Sequence, residues 1–256
     1  MAASGAALVR IAVLADIHGN LLALEAVITD LRAHAPDLVV NLGDHLSGPL
    51  WAAETADLLM CQTDWIHIRG NHDRQMIELR HDTMGESDRA ASEQLSAEHG
   101  RWLGSLPPTA QVGDGLLLCH GTPGHDDDYL IEDVTAGFAR AAEADEIRSL
   151  IGPRTGGVLC GHSHVPRFVR LDEKTIVANP GSVGLQAYRD VEHRHPHVIE
   201  TGSPHARYLL ADREGGNWKG TFRLVNYDWE RAAELACTGR RPEWGHALRT
   251  GRVPRW

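Results

Sequence analysis

Five apolar runs in this sequence each stop at a cluster of Asp, His or Asn. Val9 to Ala15 leads into Asp16 and His18, and Leu38 to Leu42 leads into Gly43-Asp44. Trp65 to Ile68 leads into Arg69-Gly70-Asn71-His72-Asp73. Leu116 to Cys119 is followed by His120-Gly121, and Gly157 to Cys160 by Gly161-His162-Ser163-His164. The side chains gathered this way are carboxylates, imidazoles and one amide, with no thiolate. Such donors suit divalent transition metals of intermediate hardness, with Mn foremost and Fe, Zn, Ni and Co also compatible. Asp16, His18, Asp44, Asn71, His120, His162 and His164 make seven candidates, too many for one tetrahedral zinc. They fit two ions that share a carboxylate, held about 3.5–4 Å apart to clamp both oxygens of an in-line displacement at phosphorus. Each cluster alone also reads as a polar turn, a helix cap or a surface loop. The ordered set, each member after a strand-length run, is what points to chemistry.

The runs need a scaffold that brings their ends together. Leu21, Leu24, Val27, Ile28 and Leu31 recur at helical spacing after the first cluster, and Pro36 stops that helix. Ala52 to Met60 reads as a second helix. Alternating strand and helix predict a parallel sheet, where ligands collect at the carboxyl ends of the strands. Further on, the spacing predicts helices over Ser92–Leu103 and Thr135–Ile151. Strands are predicted over Thr175–Ala178, Arg207–Ala211 and Thr221–Asn226, with Gly215-Gly216-Asn217 turning a hairpin between the last two. Asp228 can cap a short helix running to Ala236. The expected organisation is one α/β domain over residues 1–238, followed by a tail, 239–256, to which the pattern assigns no structure.

Composition narrows the partners. Of 256 residues, 42 % are apolar and only 5 % aromatic, so aliphatic side chains must fill the core. The net charge of −10 gives no field to attract polymeric nucleic acid or an anionic membrane, so an anionic substrate needs a local source of positive charge. Cys61, Cys119, Cys160 and Cys237 lie far apart without a C-x-x-C pair, and small buried hydrophobes rather than disulfides are expected, above all at Cys119 and Cys160. The start MAASGAALVR lacks the basic and apolar regions of a signal peptide, and no apolar run approaches the roughly 20 residues that span a bilayer. A soluble cytoplasmic protein is the expectation.

The series Asp16-x-His18, Gly43-Asp44, Gly70-Asn71-His72-Asp73, His120-Gly121 and Gly161-His162-Ser163-His164 resembles the calcineurin-like metallophosphoesterase superfamily over roughly residues 9 to 183. The turn Asn179-Pro180-Gly181-Ser182-Val183 is similar to one near the site in the small prokaryotic phosphodiesterase branch. The resemblance implies a four-layer α/β/β/α sandwich of two mixed sheets. It also implies that Asp16, His18 and His164 hold one metal, that Asn71, His120 and His162 hold the other, and that Asp44 bridges both. His72 would then be no ligand. It would protonate the leaving oxygen or stabilise phosphoryl charge, with Asp73 orienting its ring. Water or hydroxide between the metals would be the nucleophile. A separate acid makes sense, because a ligating imidazole must keep its lone pair on the metal.

Weaker signals surround this core. Arg69 is a candidate contact for a phosphate oxygen. His45 is a candidate substrate-facing or supporting residue. Asp126-Asp127-Asp128 reads as a solvated loop, and His193, His195, His197 and His205 as a surface loop near the site mouth. Gly43-Asp44 continues as His45-Leu46-Ser47, unlike the serine/threonine phosphatase pattern G-D-x-x-D-R-G, which disfavours protein phosphatase activity. The expected function is a dinuclear-metal phosphodiesterase on a small nucleotide-like substrate. Phosphomonoesterase and dinucleoside polyphosphate hydrolase activities are the alternatives. A non-catalytic scaffold on the same fold is disfavoured because His72 and all candidate ligands are present, and a nuclease on polymeric nucleic acid is disfavoured by charge. The sequence sets no oligomeric state.

Overall fold

A computed structural model describes residues 9–113, 115–154 and 156–255. Residues 1–8, read above as free of a leader, lie outside the described residues. In chain order the elements begin β1 (Val9–Leu14), α1 (Leu21–His34), β2 (Leu38–Asn41), α2 (Ala52–Met60), β3 (Ile66–His67) and α3 (Asn71–Glu78). Next come α4 (Glu86–Ser92), α5 (Ala97–Ser105), β4 (Ala110–Val112), β5 (Leu116–Leu118), β6 (Glu132–Asp133), β7 (Arg140–Ala141), α6 (Ala144–Ile151) and β8 (Gly156–Leu159). The chain continues through β9 (Arg167–Arg170), β10 (Thr175–Asn179), β11 (Ala187–Asp190), β12 (His197–Glu200), β13 (Ala206–Glu214), β14 (Asn217–Val225), α7 (Trp229–Thr238) and α8 (Pro242–Thr250).

Two five-stranded sheets form, in the orders β14-β13-β1-β2-β3 and β4-β5-β8-β10-β9. β1, β2 and β3 run parallel, while β13 and β14 pair antiparallel beside them. β5, β8 and β10 are likewise parallel between antiparallel edges β4 and β9. Side chains alternate along each strand, so every strand serves two layers. Ile11, Val13, Ala15, Val40 and Leu42 meet Leu118, Leu159, Ile176 and Ala178 between the sheets. Ala12 and Leu14 face the other way, onto Leu24, Val27 and Leu31 of α1 and onto α2. Leu117, Val158 and Val177 turn outward to Ile147 and Ile151 of α6. The result is a four-layer α/β/β/α sandwich of two mixed sheets, and the parallel centres of both sheets aim their carboxyl ends at one region.

Three expectations change. The helix predicted over Thr135–Ile151 begins only at Ala144. Its first half is drawn into strand contacts instead: Gly137 takes φ +83°, Phe138 bridges Val198, and β7 pairs with β6. The helix predicted over Ser92–Leu103 starts only at Ala97: α4 ends at Ser92, and the Ser96 hydroxyl accepts from the His99 amide to start α5. The tail beyond residue 238 contains α8, with Pro242 in its first turn and Gly251 in the left-handed conformation after its end. Trp244, Ala247 and Leu248 of α8 pack with Ala232, Ala233 and Ala236 of α7 and Ala187 of β11. All four cysteines are free thiols; Cys119 and Cys160 are buried, whereas Cys61 and Cys237 are exposed. No helix among the described residues is long and apolar enough to cross a membrane.

Candidate metal centre

Two ligand groups form at the converging strand tips. Oxygen and nitrogen atoms of Asp16, His18 and His164 lie within 4.8 Å of one another, and so do those of Asp44, His120 and His162. Asp44 spans the groups: its Oδ2 is 3.2 Å from His120 Nε2 and 4.0 Å from His18 Nε2. Asp16 Oδ1 lies 3.5 Å from His164 Nε2 and 3.8 Å from His120 Nε2. Asn71 opens α3 with its amide Oδ1 buried and unpartnered.

The backbone at these tips is unusual. Asp16, His18, Asp44, His162 and His164 all have positive φ, between 51° and 69°. The left-handed region is uncommon for residues with a side chain and costs energy. Its concentration on metal-type side chains is the pattern expected where the fold holds strain at a working site. The loop 179–184 clamps the strained turn: Ser182 Oγ donates to the Asp16 carbonyl at 2.7 Å, and the Gly184 amide donates to the same oxygen at 3.0 Å. Asn179 Nδ2 donates to Ser163 Oγ at 3.0 Å and to the Gly161 carbonyl. Close approach elsewhere depends on Gly70, where a Cβ would fall on the Asp44 carboxylate.

Hydrogen bonds on the far side of each ring fix which nitrogen faces the centre. Nδ1 of His18, His120 and His164 lies 2.9, 2.7 and 2.7 Å from the carbonyls of Ser47, Leu42 and Leu185. A carbonyl only accepts, so each Nδ1 carries the hydrogen, and in a neutral ring Nε2 is then a lone pair. His18 Nε2 and His164 Nε2 are 3.1 Å apart. Two lone pairs that close repel unless a cation sits against both. Asp16 Oδ2 and Asn71 Oδ1 are buried acceptors without partners. This donor set therefore fits divalent cations.

Electrostatics favour the ligating form at two of the rings. Burial pushes His18 down to about 4 and His162 down to about 3, leaving neutral imidazoles of the ligating form. Burial also opposes charge on His120, but Asp44 and Asp16 outweigh it and hold that ring at about 10. Its 3.2 Å contact with Asp44 is poorly directed for a hydrogen bond, so it is an ion-pair contact.

His72 stands beside the centre, its ring 5.7 Å from that of His18 and a third of its side chain open to solvent. Burial works against its charge, yet Asp44 and Asp88 together raise it to about 9, an effect that solvent at the exposed edge weakens. The residue that orients it is Asp88 on α4, 2.8 Å from Nδ1. The expected partner, Asp73, does something else. Its carboxylate accepts from the amides of Asp44 (2.8 Å), His45 (3.0 Å) and Gly70 (2.9 Å), and contacts His45 Nδ1 at 2.7 Å. As the third residue of α3, its side chain turns back to the helix start and ties the Asp44 loop to the Asn71 helix. His45 accordingly is fully buried against Asp73, His67 and Trp102 and cannot face a substrate. Arg69 is half-buried, and its amide donates to the Pro107 carbonyl.

Other residues entered the site unannounced. Trp244 of α8 packs nearly perpendicular to the His18 ring, with centroids 6.1 Å apart. Buried Glu132 pairs with Arg167 at 3.1 Å. Asp126 is committed to Arg74 through two bonds of 2.7 and 2.9 Å, so it is not a free cation ligand. His193 and His195 lie in the loop that joins β11 to β12, as expected, and His205 lies beyond β12, but His197 opens β12 and is buried. Asp88 had no local signal: it lies 16 residues from His72, on another helix.

The family profile described as calcineurin-like phosphoesterase matches residues 9–166. This chain belongs to that family. It is thus a metal-dependent phosphoester hydrolase, with two candidate ligand groups for divalent metals. This metallophosphoesterase is 25 % identical to an uncharacterized protein of Methanocaldococcus jannaschii, over 94 % of this chain and 98 % of that one. A metallophosphoesterase from Sphaerobacter thermophilus superposes with TM-score 0.72 at 25 % identity, covering 95 % of this chain and 99 % of the other. A protein provisionally described as a diadenosine tetraphosphatase shares the fold at TM-score 0.52 and 18 % identity, over 86 % and 94 % of the two chains.

Proposed function

We propose that this metallophosphoesterase is a phosphodiesterase on small nucleotide-like esters. Asp16, His18 and His164 hold one divalent cation, Asn71, His120 and His162 hold a second, and Asp44 bridges them. The reading is carried by one observation: Asp44 Oδ2 lies within 4.0 Å of an imidazole nitrogen from each group. Mixed nitrogen and oxygen donors admit manganese, the ion used for the tests below, as well as iron, zinc, nickel or cobalt. When bound, the cations supply positive charge to phosphoryl oxygens and acidify the attacking water.

The protein's own residues do the rest. The Nδ1–H of His72 is engaged by Asp88, so Nε2 is the atom left to give a proton to the leaving oxygen. An ester's alkoxide needs that proton. A diester carries one negative charge at phosphorus, and a chain of net charge −10 repels it less than a dianionic monoester. Free buried thiols at Cys119 and Cys160 support a reducing, cytoplasmic setting. Assaying manganese-loaded protein with bis-p-nitrophenyl phosphate against p-nitrophenyl phosphate tests the reading. Diester cleavage should dominate, and dominant monoester cleavage would overturn it.

A further inference from the structure

His162 differs from the other ligating histidines. No described residue hydrogen-bonds its ring nitrogens; its only bonds run through its backbone amide, to Asp16 Oδ1 at 3.2 Å, and its carbonyl. A second shell must therefore hold this ring by other means. The Tyr129 ring stacks on it at 4.8 Å between centroids, with planes 24° apart. Tyr188 packs edge-on to the His164 ring at 4.8 Å and donates its hydroxyl to the His162 carbonyl at 3.3 Å. The two phenols meet at 2.9 Å, and the Tyr129 oxygen is also 2.8 Å from His197 Nε2.

Counting hydrogens gives this chain a direction. His197 Nδ1 lies 2.8 Å from the His195 carbonyl, so it carries the hydrogen and Nε2 of the neutral ring accepts. Tyr129 then donates to His197, and Tyr188 shares its hydrogen between Tyr129 and the His162 carbonyl. Tyr188 and His197 come from the β11–β12 hairpin, which lies beyond the residues matched by the family profile.

We propose that Tyr129, Tyr188 and His197 are positioning residues that set the His162 and His164 rings and so couple the hairpin to both cation subsites. The inference rests on the dinuclear reading above. The hydroxyl chain fixes the Tyr129 ring, the stacked face of Tyr129 fixes His162, and Tyr188 presses on His164.

The test is manganese binding to the full-length chain, by calorimetry and chelator competition, with melting temperature and near-UV circular dichroism followed in parallel. Tyr129→Phe keeps the stack and loses the hydroxyl, and should weaken the second manganese by about tenfold. Tyr129→Leu removes both and should weaken it further, toward a hundredfold. His197→Leu should behave like Tyr129→Phe, and His197→Gln, which still accepts the phenol hydrogen, should restore binding. KM for the diester should change little while kcat falls. Two manganese ions bound with unchanged affinity in Tyr129→Leu would sink the inference. So would a His197→Gln variant as weak as His197→Leu, or affinity losses found only where near-UV signal is lost. If the unaltered protein binds fewer than two manganese ions, the dinuclear reading itself fails.

Discussion

His72 is held by Asp88, 2.8 Å from its Nδ1, and not by Asp73, its neighbour in the chain. The two carboxylates thus have separate partners: Asp88 holds His72, the proposed proton donor, and Asp73 holds the loop that carries Asp44. Asp88→Ala should cut kcat by about 10–100-fold while leaving manganese affinity intact. Asp73→Ala should instead weaken manganese binding by a similar factor, since the Asp44, His45 and Gly70 amides lose their acceptor. Calorimetry and steady-state kinetics on the pair would show the division, and equal metal loss in both would refute it.

The His72 ring packs edge-on against His18 and hydrogen-bonds Asp88, with no hydrogen bond from the ring to a candidate ligand. His72→Ala should bind two manganese ions as the unaltered protein does and lose about 10²–10⁴-fold in kcat. Loss of metal in this variant would make His72 a ligand.

Removal of metal should loosen the fold, because the centre buries carboxylates and facing imidazole lone pairs that need positive charge. Free manganese at about a hundred times its dissociation constant should add about 2.7 kcal/mol to the stability of the chelator-treated protein. Thermal denaturation with and without the ion measures this, and Asp44→Ala should erase most of the gain.

Glu132 gives the fold a pH dependence of its own. Burial pushes its carboxyl from 4.5 up to about 7, against the pull of Ser163 and Arg167. Below pH 4.5 both folded and unfolded chains hold the proton, and the group costs nothing. Between about pH 4.5 and 7 the unfolded chain gives up the proton while the folded chain still holds it, so stability falls by about 3 kcal/mol in total and levels off above 7, where both states are ionised. Urea unfolding between pH 4.5 and 7.5 should show this slope, and Glu132→Gln should flatten it. A parallel slope in the variant would remove Glu132 as its source.

Trp244 anchors α8 and touches the wall of the centre at His18. Trp244→Ala should lose about 3–5 kcal/mol, lowering the melting temperature by on the order of 10 °C. An unchanged melting curve would mean that α8 contributes little.

The sequence alone determined the chemistry and the frame that presents it. Asp16, His18, Asp44, Asn71, His120, His162 and His164 each follow a short apolar run, and such a run bounded by turn residues is a local signal of a strand buried on both faces. The strand tips were legible for the same reason. Tertiary structure decided what depends on distant segments meeting. Asp88 reaches His72 only because α4 packs beside α3, and Asp73 turns back because its position three residues into α3 faces the amides at the helix start. The half-helix over Thr135–Ile151 lost its first turns to pairing with β6, a contact no local spacing encodes. The left-handed backbone at five of the candidate ligands, and the contact of Tyr129 with Tyr188 and His197 of the hairpin, are likewise set by the sum of packing around them, since no residue sustains that conformational cost on its own.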